Sequence, residues 1–274
     1  MPELPEVEII RRGLSRHILS KTIEDVDIRL PRQIHFPSAP EFRAQIRGCT
    51  IKEVQRRGKY LLLALTHSMM LVIHLRMTGR IVYAPDGEVR DRYARVVFLL
   101  ASGAVLVFGD IRTFGALYLL PRHDLYRITG LASLGPEPLS DAFTAEGLRQ
   151  KAQGRRTFVK AFLLQQENIA GIGNIYADEA LFVAGIHPAR RVDTLTVEEW
   201  SRLHQAVRQV LREGITDGGT TFRDYQNADG GQGHHQEHLH VYEREGTACD
   251  VCGTEIEKIK LSGRGTRFCP ICQK

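Results

Sequence analysis

Apolar residues at Val7, Ile10, Leu14 and Ile18 recur at helical spacing, which predicts a helix over Pro5–Leu19. After Gly58-Lys59 the pattern changes. Short apolar segments follow at Tyr60–Leu65, Met69–Leu75, Arg80–Tyr83, Val96–Leu100, Val105–Phe108 and Ala116–Leu120. Turn signals such as Ala84-Pro85-Asp86-Gly87 and Ser102-Gly103 punctuate them. Many short strands with turn signals predict a β-sandwich or barrel. The run Ser133-Leu134-Gly135-Pro136-Glu137-Pro138-Leu139-Ser140 then reads as a linker at a domain boundary. Beyond it the pattern is helical, over Phe158–Gln166, Ile175–Ala184 and Val197–Gly214. The polar, glycine-rich stretch from Asp217 to His235 has no periodicity and predicts a mobile loop.

The 274 residues allow two domains with cores of their own. A net charge of +5 favours a polyanionic partner, nucleic acid or a membrane surface. The apolar runs are too short to span a bilayer. The acidic start lacks the apolar region of a signal peptide. The expectation is a soluble, cytosolic protein.

Four of the five cysteines cluster near the end. Cys249-Asp250-Val251-Cys252 and Cys269-Pro270-Ile271-Cys272 are separated by sixteen residues, the two-knuckle spacing of a zinc site. Four thiolates suit tetrahedral zinc and leave no open position, so the metal is structural. A pair of disulfides is the alternative, and the lack of a secretory signal argues against it. Cys49 stands apart, as a small buried residue does. His234, His235, His238 and His240 lack the carboxylate spacing that a second metal would need.

The chain starts Met1-Pro2-Glu3. Removing Met1 frees a secondary amine at Pro2, and an α-amino group titrates near neutrality, at roughly 7.7–8.0. Attack of such an amine on a sugar carbon gives a cationic iminium, an electron sink, and Glu3 stands beside it as acid or base. Pro2 and Pro5 also simply suit the first turn of a helix. Gly171-Ile172-Gly173-Asn174 opens a helical segment, where backbone N–H groups face an anion and Asn174 caps or donates. A plain packing joint has the same pattern. Arg264, flanked by glycines between the zinc knuckles, is shaped for bidentate phosphate contact or simple solvation.

Together these motifs resemble the bacterial formamidopyrimidine-DNA glycosylase family over essentially the whole chain. The match includes Pro2-Glu3-Leu4-Pro5-Glu6-Val7-Glu8, Arg56-Arg57-Gly58-Lys59 and His74-Leu75-Arg76-Met77-Thr78-Gly79-Arg80. It continues through Asp110-Ile111-Arg112-Thr113-Phe114-Gly115, Gly171-Ile172-Gly173-Asn174-Ile175-Tyr176, Gly218-Gly219-Thr220-Thr221 and Gly263-Arg264-Gly265-Thr266. The resemblance implies an α+β multidomain fold. A β-sandwich catalytic domain with its catalytic N-terminal helix would span 1–132, and a linker 133–142. A helix–two-turns–helix DNA-binding domain with a lesion-covering loop would span 143–235, and a zinc ribbon 236–274.

The resemblance also implies roles. Pro2 attacks C1′ of the damaged nucleotide, Glu3 is its acid/base partner, and Lys59 and Arg264 bind phosphates near the lesion and assist strand cleavage. His74, Tyr93, Arg155, Asn174, Tyr242 and Lys258 contact the DNA backbone. Met77, Arg112 and Phe114 fill the gap left by the extruded base. Cys249, Cys252, Cys269 and Cys272 hold one zinc. The implied activity is a bifunctional glycosylase and abasic-site lyase for oxidised purines. It would work as a monomer on double-stranded DNA, between the two domains, in the cytoplasm at the nucleoid. Two rivals share the fold: the sister specificity for oxidised pyrimidines, and a non-catalytic damaged-DNA binder. The Met77, Arg112, Phe114 trio argues against the first, and Pro2, Glu3 and Lys59 against the second. The chain departs from the family pattern at Gln165, Glu243, His235 and Asp91-Arg92-Tyr93, all near the expected lesion loop and DNA face.

Overall fold

A computed structural model describes residues 2–274. The chain divides into two compact units. One comprises Met1–Ala132 with Ile215–Gln236, and the other Ser133–Gly214 with Glu237–Lys274.

The first unit begins with helix α1, Leu4–His17, close to the predicted span. Its start is a capping box. Glu3 accepts from the backbone of the first turn, and the Glu3 N–H donates to Glu6 Oε2 at 2.8 Å. Val7, Ile10 and Leu14 on one face join the core. Nine strands follow: β1 (Ile23–Ile28), β2 (Ile34–Phe36), β3 (Ile51–Arg57), β4 (Tyr60–Leu65), β5 (Met69–His74), β6 (Gly79–Ala84), β7 (Ala94–Leu100), β8 (Val105–Asp110) and β9 (Ala116–Pro121). Helix α2 (Ala39–Ile46) lies between β2 and β3, and a short α3 (Thr129–Ala132) follows β9.

The strands form two sheets, ordered β1-β7-β8-β6 and β2-β9-β5-β4-β3. Leu61, Leu63, Leu71 and Ile73 of one sheet share a core with Val96, Phe98, Leu106 and Phe108 of the other. This is the predicted sandwich, packed as two sheets facing one another. β1 and β3 were invisible to the periodicity. Both are edge strands whose register shifts within the first residues, between Ile23 and Asp25 and between Ile51 and Glu53. A bulge of this kind erases period-two alternation.

The stretch after Asp217 has no helix or strand up to His235, as its composition implied. It is nonetheless tied down. The Thr220 N–H donates to Glu6 Oε1 at 2.8 Å, and the Tyr83 N–H to the Ala228 carbonyl at 2.8 Å. His17 Nε2 meets Asp229 Oδ1 at 2.6 Å. Ala228 is fully buried against Gly13 of α1.

The second unit holds α4 (Ala145–Ala152), α5 (Val159–Leu164), α6 (Asn174–Ala184) and most of α7 (Val197–Thr216). α5 is shorter than the pattern predicted, because the chain turns at Gln165. Gln166 then braces the α5–α6 connection, donating to the Ile172 carbonyl at 2.8 Å and accepting from the Gly171 N–H at 2.9 Å. Trp200 of α7 packs edge-on to Phe162 of α5, with ring centroids 5.7 Å apart. The unit ends in the antiparallel ribbon β10 (Glu257–Leu261) and β11 (Arg264–Phe268). Among the described residues no helix is long and apolar enough to cross a membrane.

Gly13 is where loop and helix meet. A Cβ there would lie 2.6 Å from the Ala228 Cβ. Gly13→Ala would raise helix propensity by about 1 kcal/mol, yet it must push Ala228 away. The expected outcome is faster hydrogen exchange at the Tyr83 amide, which donates to Ala228. Unchanged exchange at Tyr83 would contradict this anchoring.

Candidate active site and zinc centre

In the first unit, Pro2 and Glu3 are buried at the mouth of α1. Glu6 links them to the irregular segment, since one carboxylate oxygen takes the Glu3 amide and the other the Thr220 amide. A buried carboxylate needs such donors, and two backbone N–H groups supply them.

α1 packs on β3 and β4. The tight turn between those strands carries Lys59, which is itself buried. Arg56 holds this turn, donating to the Gly58 carbonyl at 3.1 Å and to Glu8 Oε2 at 3.1 Å. His74 is paired in register with Tyr60, next to Lys59, and its ring meets the Tyr60 ring edge-on at 4.4 Å. Burial pushes the His74 imidazole down to about 3, helped by the charges of Arg76 and Lys59. Its Nδ1 accepts the Arg76 N–H at 3.0 Å. The neutral ring therefore carries its proton on Nε2, as a hydrogen-bond donor with no charge.

Met77, Arg112 and Phe114 are exposed, and the Arg112 guanidinium lies 4.9 Å from the Phe114 ring centroid. Tyr93 is ringed by three guanidinium groups, Arg92 at 4.7 Å, Arg95 at 5.8 Å and Arg80 at 5.9 Å. Arg80 is held by Asp91, which occupies one of the positions where the chain departs from the family pattern. His235, another such position, is buried and bonds to Asp217 at 2.8 Å.

In the second unit, Arg264 sits exposed at the start of β11. The backbone beside it is gripped from below. Lys160 Nζ donates to the Gly265 carbonyl and to Thr266 Oγ1, both at 2.9 Å, and Asn174 Nδ2 donates to the same carbonyl at 3.1 Å. Lys160 is buried against Asp178, 2.7 Å away. Burial pushes the Asp178 carboxyl up to about 7 despite that lysine. Neighbouring Glu179 accepts the N–H groups of His240, Val241 and Tyr242 at 2.8, 3.0 and 2.8 Å, which fixes Tyr242.

Lys258 is ion-paired with Glu245. Arg267, then Lys258, holds the Glu245 carboxyl far below its ordinary range. Glu243, where the family commonly has glycine, adopts φ 59°, the left-handed region. Its carboxylate binds Arg267 at 2.7 Å. Arg155 is held by neutral oxygens, Gln165 Oε1 at 3.0 Å and Asn168 Oδ1 at 3.3 Å. Sequence reasoning gave no separate role to Glu6, Asp110, Lys160, Asp178 or Glu179. Their signal was charge inside apolar or motif segments, which indicates burial and leaves the partner undefined.

The four sulfurs of Cys249, Cys252, Cys269 and Cys272 lie within 4.8 Å of one another, and none is in a disulfide. Tetrahedral zinc with bonds of about 2.3 Å sets its sulfurs about 3.8 Å apart, and the Cys249–Cys272 and Cys252–Cys269 sulfur pairs lie 3.9 and 3.4 Å apart. The Val251 and Cys272 N–H groups point at Cys249 and Cys269 Sγ, each at 3.4 Å, as donors that favour thiolates. The donor set therefore fits one structural zinc. Among the described residues it is the one group of three or more such side chains close enough to share an ion.

Three family models match in order along the chain. They are the formamidopyrimidine-DNA glycosylase N-terminal domain over residues 1–117, the H2TH domain of the same enzymes over 134–226, and the zinc finger found in FPG and IleRS over 246–274. The formamidopyrimidine-DNA glycosylase of Desulfitobacterium hafniense is 47% identical over 273 residues, covering 100% of both chains. That of Pelotomaculum thermopropionicum is 46% identical, covering 100% of this chain and 99% of its own. Two Lactococcus lactis Fpg structures are also similar. One is the wild-type protein with N7-benzyl-Fapy-dG DNA, with a TM-score of 0.93, 35% identity and full coverage of both chains. The other is a complex with DNA containing an abasic site, with a TM-score of 0.93, 35% identity and 99% coverage of each.

Metal analysis of the purified protein is expected to give one zinc per chain. Cys249→Ser should lose it and unfold the ribbon, because metal binding and folding are coupled, while the sandwich keeps its thermal transition. A native protein without zinc would contradict this.

Proposed function

Because the chain belongs to the formamidopyrimidine-DNA glycosylase family, we propose that it excises oxidised purines from duplex DNA and then cleaves the strand at the abasic site. One observation carries this reading. Pro2-Glu3 stands at a buried, doubly anchored helix start in a chain that is 47% identical to such an enzyme end to end. The solved relatives that hold Fapy-dG and abasic DNA supply the substrate class.

The chemistry follows from the residues. Once Met1 is removed, the Pro2 nitrogen attacks C1′ and the glycosidic bond breaks, with the base leaving as it takes a proton. Glu3 supplies and recovers protons during sugar opening, and the product is an iminium between Pro2 and C1′. The iminium withdraws electrons from C2′, so the 3′ phosphate and then the 5′ phosphate leave by β- and δ-elimination. Lys59 and Arg264 neutralise these phosphates, as positioned cations do for developing charge. His74 donates a neutral hydrogen bond to the backbone. Tyr93, Arg155, Asn174, Tyr242 and Lys258 add backbone contacts, with the charge of Lys258 largely shared with Glu245.

Met77, Arg112 and Phe114 fill the gap, and the segment after Asp217 covers the extruded base. Residues 1–132 form the catalytic domain and 133–142 the linker. The DNA-binding module expected over 143–235 keeps its helices, while its last stretch, Ile215–Gln236, packs with the first unit as the cover; residues 236–274 form the ribbon, which zinc holds. The protein acts as a monomer in the cytoplasm, at the nucleoid.

The test is a panel of duplexes carrying 8-oxoguanine, formamidopyrimidine, an oxidised pyrimidine or an abasic site. Release of the first two bases and nicking of the abasic strand are expected. Preference for the pyrimidine would favour the sister specificity, and binding without cleavage would leave only a damage binder. Arg264→Ala should weaken binding to every duplex alike and flatten the log–log salt dependence by about one unit.

A further inference from the structure

The exposed trio Met77, Arg112 and Phe114 springs from two separate turns. Met77, 39% exposed, lies in the turn from Leu75 to Gly79 that leads into β6. Arg112 and Phe114, the latter 52% exposed, lie in the connection from β8 to β9. Each turn carries a non-glycine residue in the left-handed region, Arg76 at φ 56° and Thr113 at φ 59°. Such residues persist only where the surroundings hold them. The second turn is also crowded. A Cβ on Gly115 would lie 2.5 Å from Phe108 Cζ and 3.1 Å from Asp110 Oδ2.

What holds both turns is a single carboxylate. Asp110, fully buried at the end of β8, accepts the Thr78 hydroxyl on Oδ1 at 2.6 Å. Its Oδ2 accepts the Gly115 N–H at 2.7 Å and Gln33 Nε2 at 2.8 Å. The Thr78 hydroxyl oxygen in turn accepts the Arg112 N–H at 2.9 Å. A hydroxyl has one proton and two lone pairs, so it serves both partners at once. One side chain, next to Met77 in sequence, thus joins the Met77 turn to the backbone of Arg112 through a shared acceptor.

We propose that Thr78 is a positioning residue for reading the base opposite the lesion, because it locks the Met77 turn and the Arg112–Phe114 turn into one rigid unit through Asp110. The proposal rests on the gap-filling reading of the trio. A guanidinium discriminates between base edges only when its direction is fixed. The Arg112 side chain has no carboxylate partner among the described residues, so its direction depends on its backbone and on the Phe114 ring. Removing the Thr78 hydroxyl releases that backbone and leaves Asp110 Oδ1 short of a donor.

The experiment uses the full-length protein and four duplexes, each with a non-cleavable abasic analogue opposite one of the four bases. Dissociation constants are measured for the wild type, Thr78→Val, Thr78→Ser, Arg112→Ala and the double variant Thr78→Val/Arg112→Ala. One base-edge contact corresponds to a spread of about 5- to 150-fold among opposing bases. Thr78→Val should compress that spread to within about twofold, as Arg112→Ala does. Thr78→Ser should keep it, and the double variant should lose no more than Arg112→Ala alone. Thr78→Ala, which adds no new bulk, should show the same compression and decides the matter if the valine variant misfolds.

If the Thr78 variants keep the spread while Arg112→Ala loses it, the proposal is wrong and the gap-filling reading stands. If Arg112→Ala also keeps it, the gap-filling reading falls and the proposal with it. Loss of the spread in Thr78→Ser, or additive losses in the double variant, would each show that the hydroxyl is not the link.

Discussion

Burial of the first turn of α1 is the constraint on which the rest of the structure depends. Leu4, Val7, Ile10 and Leu14 are fully buried, and Glu3 and Glu6 lie among them at 1% exposure each. A chain terminus ordinarily frays. Here it cannot move without exposing core residues and stripping two carboxylates of their donors. The capping box and the Thr220 amide satisfy those carboxylates, so the helix start is fixed along its axis and around it. An amine placed on residue 2 inherits that fixed position. Covalent chemistry benefits directly, because orienting the attacking atom removes much of the entropic barrier. The helix also carries the anchors of the segment that would cover a base, at Glu6, Gly13 and His17. The proposed nucleophile and the proposed cover share one element of the first unit.

The second unit solves its own positioning problem in the same way. Arg264 starts a strand and Tyr242 lies in a turn, and the local backbone alone would leave both loosely placed. Adjacent acids on α6 prevent this. Asp178 with Lys160 grips β11, and Glu179 grips the three amides up to Tyr242. Buried ion pairs add little net stability, yet breaking one costs about 3–5 kcal/mol. Their function here is geometric. They are internal struts for the cation and the phenol that the proposed function sets against DNA, while the four cysteines close the far end of the ribbon.

Much of this was legible in the sequence, for identifiable reasons. α1 showed because its buried face repeats at helical spacing. β4, β5 and β8 showed because they are almost continuously apolar, being buried on both faces. The zinc centre showed because its ligands lie in two local pairs. What was hidden depends on partners remote in the chain. Asp110 meets Gln33, Thr78 and Gly115, contacts that no local pattern encodes. β1 and β3 were hidden by their bulges. The stretch after Asp217 looked mobile because its anchors are single residues, Thr220, Ala228 and Asp229, spaced without period. The resemblance offers Lys258 as a DNA-backbone contact, and its pairing with Glu245, thirteen residues away, has no signal in the local pattern. Glu243 shows the converse. Its backbone keeps the left-handed conformation that suits glycine, and its new carboxylate is absorbed by Arg267.

In the proposed mechanism α1 holds a reactive nitrogen at residue 2. Borohydride reduction during turnover on lesion DNA, followed by peptide mapping of the trapped protein, addresses it directly. The sugar remnant is expected on the N-terminal nitrogen of Pro2, with Met1 absent from the mature chain. A remnant on Lys59, or a trapped chain that still begins with Met1, would contradict it.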